Sequence, residues 1–154
     1  MFTISILFFI YSLELPFLER YLNDPFTETV ATVSSKVINL VHPDSHTETI
    51  KCMVKSKSFT FTIKKGCNGF EAFLILLAGI LSFPANKKMK LYGIILGMTL
   101  VYTVNILRVV SLYFVGVYFY SWFNVAHFYV GQSMVILTAI LFWIYWIDKF
   151  AERP

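Results

Sequence analysis

Four apolar runs, each near the length needed to cross a lipid bilayer, limit the folds open to this chain. The hydrocarbon layer is about 30 Å thick and takes about 20 helical residues to span. The runs cover residues 2–18, interrupted by Glu14 and Pro16; 70–85, with Glu71 at its start; 91–118, broken by Arg108; and 125–147. The last ends in Trp143, Tyr145 and Trp146 before Asp148-Lys149, an aromatic belt followed by a charged stop. The first lacks the basic start and small-residue cleavage site of a signal peptide, so it is expected to be a retained helix. Composition agrees. Only 14% of the 154 residues are charged and 57% are hydrophobic, whereas a soluble domain carries about a quarter charged residues. The apolar surplus is too large for a core of that size. The expectation is an all-α integral membrane protein, a four-helix transmembrane bundle forming one unit over residues 1–154.

The net charge of +4 points to no nucleic-acid partner, because the basic residues sit in short runs beside apolar stretches. The implied partner is the lipid bilayer itself. Lys87, Lys88 and Lys90 crowd the turn between the second and third runs. The long 19–66 segment holds seven Lys or Arg, but long segments translocate largely regardless of charge, so the lysine turn is placed on the inner side with both termini. Segment 19–66 is then extracytoplasmic. In it Asp24-Pro25 reads as an N-cap with proline at the first helical position. Phe26, Val30, Val33, Val37 and Leu40 follow at helical spacing, predicting an amphipathic helix that lies on the membrane surface or on the bundle. Ile50, Cys52 and Val54, then Phe59, Phe61 and Ile63, alternate with polar residues and predict a small β-hairpin with one apolar face.

Membrane depth brings three reactive side chains to one level. Cys67 precedes the second helix at its outer end. Arg108 lies 17 residues beyond Leu91, about 26 Å up the third helix. His127 opens the fourth helix, again at its outer end. A thiol is a useful nucleophile only as the thiolate, which cations and helix N-termini favour. His127 could take the thiol proton and return it to a leaving amine. Arg108 could stabilise the thiolate or an oxyanion, Asn105 sits on its helical face, and Glu71 is one turn from Cys67.

Each of these residues has a plainer reading. A lone cysteine in a membrane protein is usually a small hydrophobe, and Cys52 and Cys67 could instead form a disulfide on an oxidising face. Arg108 could snorkel to headgroups, His127 could be an interface residue beside Trp122 and Tyr129, and Glu71 could complement the helix dipole. No nucleotide fingerprint, phosphate loop or zinc-ligand spacing is present, so no cofactor and no metal is expected.

Beyond this reading lies a resemblance. Gly66-Cys67-Asn68-Gly69-Phe70-Glu71-Ala72 resembles the cysteine motif of the exosortase/archaeosortase family. Asn105-Ile106-Leu107-Arg108-Val109-Val110-Ser111-Leu112 resembles its arginine motif, and Ala126-His127-Phe128-Tyr129 its histidine motif. The small size and the Leu13-Glu14-Leu15-Pro16 opening look most like the exosortase H branch. The resemblance implies a membrane-embedded cysteine transpeptidase or protease of the inner (cytoplasmic) membrane, with its site on the extracytoplasmic face. It would act on exported proteins carrying a C-terminal sorting signal: a motif, a transmembrane helix and a basic tail. It also implies Cys67 as nucleophile, Arg108 as stabiliser and His127 as acid/base, with Asn68, Asn105 and Glu71 in support. Two other classes compete: a non-catalytic membrane subunit or assembly factor, and a small transporter element. The second is disfavoured because the polar residues gather at one face.

Overall fold

The computed structural model describes residues 19–64 and 66–150. The first apolar run, residues 2–18, lies outside the described residues. A π-helical turn, Glu19–Asn23, leads into helix α1, Asp24–Val41. Pro25 falls in its first turn, where a missing N–H costs nothing. Asp24 is already inside the helix; the cap position is Asn23, and no side chain caps it.

The packed face of α1 takes in only part of its apolar stripe: Val30 is fully buried and Phe26 and Val37 pack against the same core. Thr27, Val30, Ala31, Ser34, Ser35 and Ile38 are buried, whereas Val33 and Leu40 are exposed, Leu40 at 82%. The buried positions centre about 100° around the helix from the apolar stripe. Small side chains let α1 approach the long third helix of the bundle closely. Beside a bilayer an apolar face can turn to lipid as readily as to a core, so amphipathicity does not decide which face packs.

The polar segment that follows holds the expected hairpin, between 53–55 and 60–62, extended by one further strand into a three-stranded antiparallel meander. Strands β1 (Glu48–Ile50), β2 (Met53–Lys55) and β3 (Thr60–Thr62) pair in that order. Ile50 pairs with Met53, so the presumed strand Ile50–Val54 breaks at the two-residue turn Lys51-Cys52. Lys51 adopts a left-handed φ of 55° there, as tight hairpin turns require. The turn reverses the chain within the expected alternation. Ile50 becomes exposed, and Thr49, Val54 and Phe61 line up across the strands, with Val54 fully buried.

Helix α2 spans Phe70–Ser82, 13 residues, or about 20 Å. This is shorter than the expected run of 70–85, because Phe83 precedes Pro84 and is driven to extended backbone. By itself α2 does not reach across the hydrocarbon layer. Helix α3, Lys87–Tyr118, starts four residues before the expected Leu91. The Asn86 side chain accepts from Lys88 N at 3.1 Å and caps it. Lys90 Nζ donates to Leu81 O at 2.7 Å, placing a cation on the carbonyl end of α2. Beyond α3, turns at Tyr120–Trp122 and Phe123–Val125 and a π-helical stretch Ala126–Gly131 run into helix α4, Gln132–Phe150.

Two apolar cores flank the middle of α3. One joins α1 and the sheet to its C-terminal half through Val30, Ile38, Val54, Ile106, Val109 and Tyr113. The other joins α2, α3 and α4 through Leu76, Ile80, Val101, Val135 and Trp146. Trp146 Nε1 donates to Met89 O at 3.1 Å and its ring packs on Gly93, locking the far end of the bundle. Lys87–Tyr118 and Tyr120–Phe150 are long and apolar enough to span a membrane. Only 22% of the second one's most apolar stretch is buried, and Leu137, Ile140, Leu141 and Ile144 are exposed on α4. A core helix of a water-soluble protein would be covered, so the exposed apolar surface of α4 suits a lipid environment.

Candidate active site

Where the two cores meet, the loop before α2, the middle of α3 and the π-helical lead into α4 converge. Cys67 Sγ lies 3.0 Å from His127 Nε2. Arg108, 2% exposed, donates from Nη1 to Cys67 O at 3.3 Å and from Nη2 to His127 O at 3.2 Å. One guanidinium thus clamps the backbones of both partners. It sits 21 residues from Lys87 along α3, about 31 Å, some two-thirds of the way along the helix from the lysine turn. Among the described residues no carboxylate forms an ion pair with it. Its charge faces the Cys67 side chain and, more remotely, Glu71. A buried cation that donates to two carbonyls and has no carboxylate partner among the described residues favours an anion at the neighbouring sulfur.

Each element places its residue for a local reason. Gly66 and Gly69 bracket Cys67 and Asn68 with left-handed φ values of 82° and 81°, which give the loop its sharp return into α2. Gly69 also lies against Asn105, where an added Cβ would come within 3.0 Å of Cγ. Glu71 Oε1 accepts from Gly66 N at 3.0 Å, so the carboxylate secures the loop. Cys67 N donates to Lys64 O at 3.0 Å. Both cysteines are unbonded thiols. Cys52 lies in the β1–β2 turn, where burial and then Glu28 and Asp24 push its thiol pKa up.

The imidazole is held by rings. Phe123 stacks on His127 at 5.7 Å with an interplanar angle of 17°, and Phe128 meets it edge-on at 4.9 Å. Phe123 in turn rests on Phe59, the residue before β3, 5.2 Å away. His127 Nδ1 is buried and without a partner among the described residues, so the ring's aim comes from stacking and from the backbone bond to Arg108. Gly131, one helical turn on, makes room for Arg108: a Cβ there would stand 2.5 Å from Nε and 3.1 Å from Cγ.

The structure therefore brings Cys67, Arg108 and His127 together and sets Asn68, Asn105 and Glu71 behind them. Asn105 differs from its expected place. Its Nδ2 donates to Asn68 O at 2.5 Å rather than orienting Arg108. Sequence reasoning passed over Phe123, Gly131, Asn23 and Thr27. A glycine four residues after His127 was the one visible signal among them; the others act through distant contacts.

The family model described as transmembrane exosortase matches residues 1–145. The chain belongs to the transmembrane exosortase family, a group of membrane-embedded sorting transpeptidases. No curated relative and no solved structure matches it.

Proposed function

We propose that this protein is a cysteine transpeptidase or protease that cleaves the C-terminal sorting signals of exported proteins through an acyl-enzyme. It sits in the inner (cytoplasmic) membrane with both termini inside and its site at the extracytoplasmic face. The observation that carries this reading is the 3.0 Å approach of Cys67 Sγ to His127 Nε2 beside a buried arginine.

The steps follow from that geometry. His127 Nε2 takes the thiol proton, and Arg108 holds the sulfur's charge. The sulfur adds to the scissile carbonyl; as the C–N bond breaks, His127 returns the proton to the leaving amine and a thioester remains on Cys67. Water or the amine of a surface acceptor then attacks the thioester, again giving its proton to His127, and the thiol is released. Arg108 acts by fixed charge and by holding the two reacting residues in register, with no reorganisation needed at the moment of reaction. The leaving segment carries its own transmembrane helix, and the exposed flanks of α3 and α4 present a lipid-level surface beside the site.

The test is co-expression with proteins that carry a motif, a transmembrane helix and a basic tail, following loss of the tail. Cleavage by the wild type and none by Cys67→Ala at equal membrane levels is the expected result. Cleavage that persists in Cys67→Ala overturns the proposal. So does its absence with every such substrate.

A further inference from the structure

Behind the cysteine loop lies a buried polar cluster joining three helices. Asn68 is fully buried, Asn105 is 1% exposed, Thr27 3% and Asn23 6%. Asn68 Nδ2 donates to Asn23 Oδ1 at 2.5 Å and to Thr27 Oγ1 at 2.7 Å. Thr27 Oγ1 passes its own proton to Asn23 O at 2.7 Å. Asn68 Oδ1 accepts from Phe70 N at 3.1 Å, and Asn68 O accepts from Asn105 Nδ2 at 2.5 Å. Both amide hydrogens and both oxygens of Asn68 are therefore engaged. Turning the amide over would set oxygen against Asn23 Oδ1 and NH₂ against Phe70 N, so the network admits one orientation.

We infer that Asn23 and Thr27 are positioning residues for Cys67, acting through Asn68; the inference rests on the cysteine-nucleophile reading above. Cys67 O is held by Arg108 on one side and the Asn68 side chain by α1 on the other. The peptide joining Cys67 to Asn68 is thus fixed at both ends, and with it the direction in which Sγ points. Two apolar cores already join these helices, and an apolar cluster would hold them together as well. The hydrogen bonds that fill Asn68 do what apolar packing does not: they select one loop orientation. Thr27 supplies this from the turn after Asn23, being both acceptor for Asn68 and donor to Asn23 O.

The test uses the full-length protein with Cys52→Ala, which leaves Cys67 as its one cysteine. Alkylation by iodoacetamide is followed by intact mass in detergent. His127→Ala is the reference and should slow alkylation about 100-fold, the lower end of a general base's contribution. Thr27→Val keeps the shape and removes the hydroxyl; it should slow alkylation about tenfold, the size of one hydrogen bond expressed in a rate. Thr27→Ser should restore the rate to within about twofold, since it returns the same donor and acceptor. A merely structural role predicts the opposite sign, because a loosened fold exposes the thiol and speeds alkylation. An unchanged or faster rate in Thr27→Val, or no rescue by serine, overturns the inference while a slow His127→Ala leaves the Cys–His pair standing. An unchanged rate in His127→Ala overturns that pair instead. Should Thr27→Val fail to accumulate, Asn23→Ala carries the test with the same outcomes.

Discussion

Replacing Gly131 with alanine sets helix propensity against geometry. Gly131 lies at the end of the π-helical stretch Ala126–Gly131, directly before α4. On propensity alone, Gly→Ala in a helix is stabilising by about 1 kcal/mol. The added Cβ, however, would stand 2.5 Å from Arg108 Nε, 3.1 Å from Arg108 Cγ and 3.1 Å from Ala126 O. An ordinary carbon–nitrogen contact needs about 3.5 Å, so the guanidinium must withdraw by about 1 Å. Its bonds to Cys67 O and His127 O, 3.3 and 3.2 Å long, would then exceed about 4 Å and cease to be hydrogen bonds. A misplacement of about 1 Å costs up to about 100-fold in rate. We expect Gly131→Ala to insert normally, to melt within a few degrees of wild type in detergent, and to cleave a co-expressed sorting substrate about 30- to 100-fold more slowly. Near wild-type cleavage would refute the claim that Gly131 exists to seat Arg108. Loss of the folded protein would refute the claim that the effect is local.

Arg108→Lys keeps the charge but can bridge only one of the two carbonyls; losing one bond to a charged group, about 1.5–3 kcal/mol, should lower cleavage about 10- to 150-fold at matched expression. Lysine that substitutes freely would return Arg108 to a headgroup role. At neutral pH a maleimide should modify Cys67 well before Cys52, because the raised pKa of Cys52 keeps that thiol protonated; peptide mapping after brief labelling checks the order. Cys52→Ala should leave cleavage intact, since the residue only fills a turn. Phe123→Leu removes the ring stacked on His127 and should reduce cleavage several-fold, by the roughly 1 kcal/mol such ring pairs contribute, with little change in thermal stability.

The convergence of Cys67, Arg108 and His127 was legible because helical rise is a ruler: counting residues from the lysine turn gives depth, and depth places three distant positions at one level. Element boundaries were less so. The alternation Ile50, Cys52, Val54 looks like one strand because the turn at Lys51-Cys52 carries none of the glycine or asparagine that usually marks a tight hairpin. The apolar stripe of α1 marks its packed face only in part, since Phe26, Val30 and Val37 reach the core while Val33 and Leu40 are exposed. Asn23 and Thr27 were invisible for another reason. Their partner, Asn68, is 45 and 41 residues away in sequence, and an asparagine and a threonine at a helix start read as ordinary polar residues until that contact is seen.

Isolation of the covalent intermediate tests the central claim most directly. The chain is purified from membranes that co-express a sorting-signal protein, with hydroxylamine withheld, and its peptides are mapped by mass spectrometry. The account predicts that the upstream part of the substrate is joined as a thioester to Cys67, that hydroxylamine releases it, and that Cys67→Ala lacks it. Turnover of the substrate with the adduct at another residue, or undiminished turnover by Cys67→Ala, would contradict it.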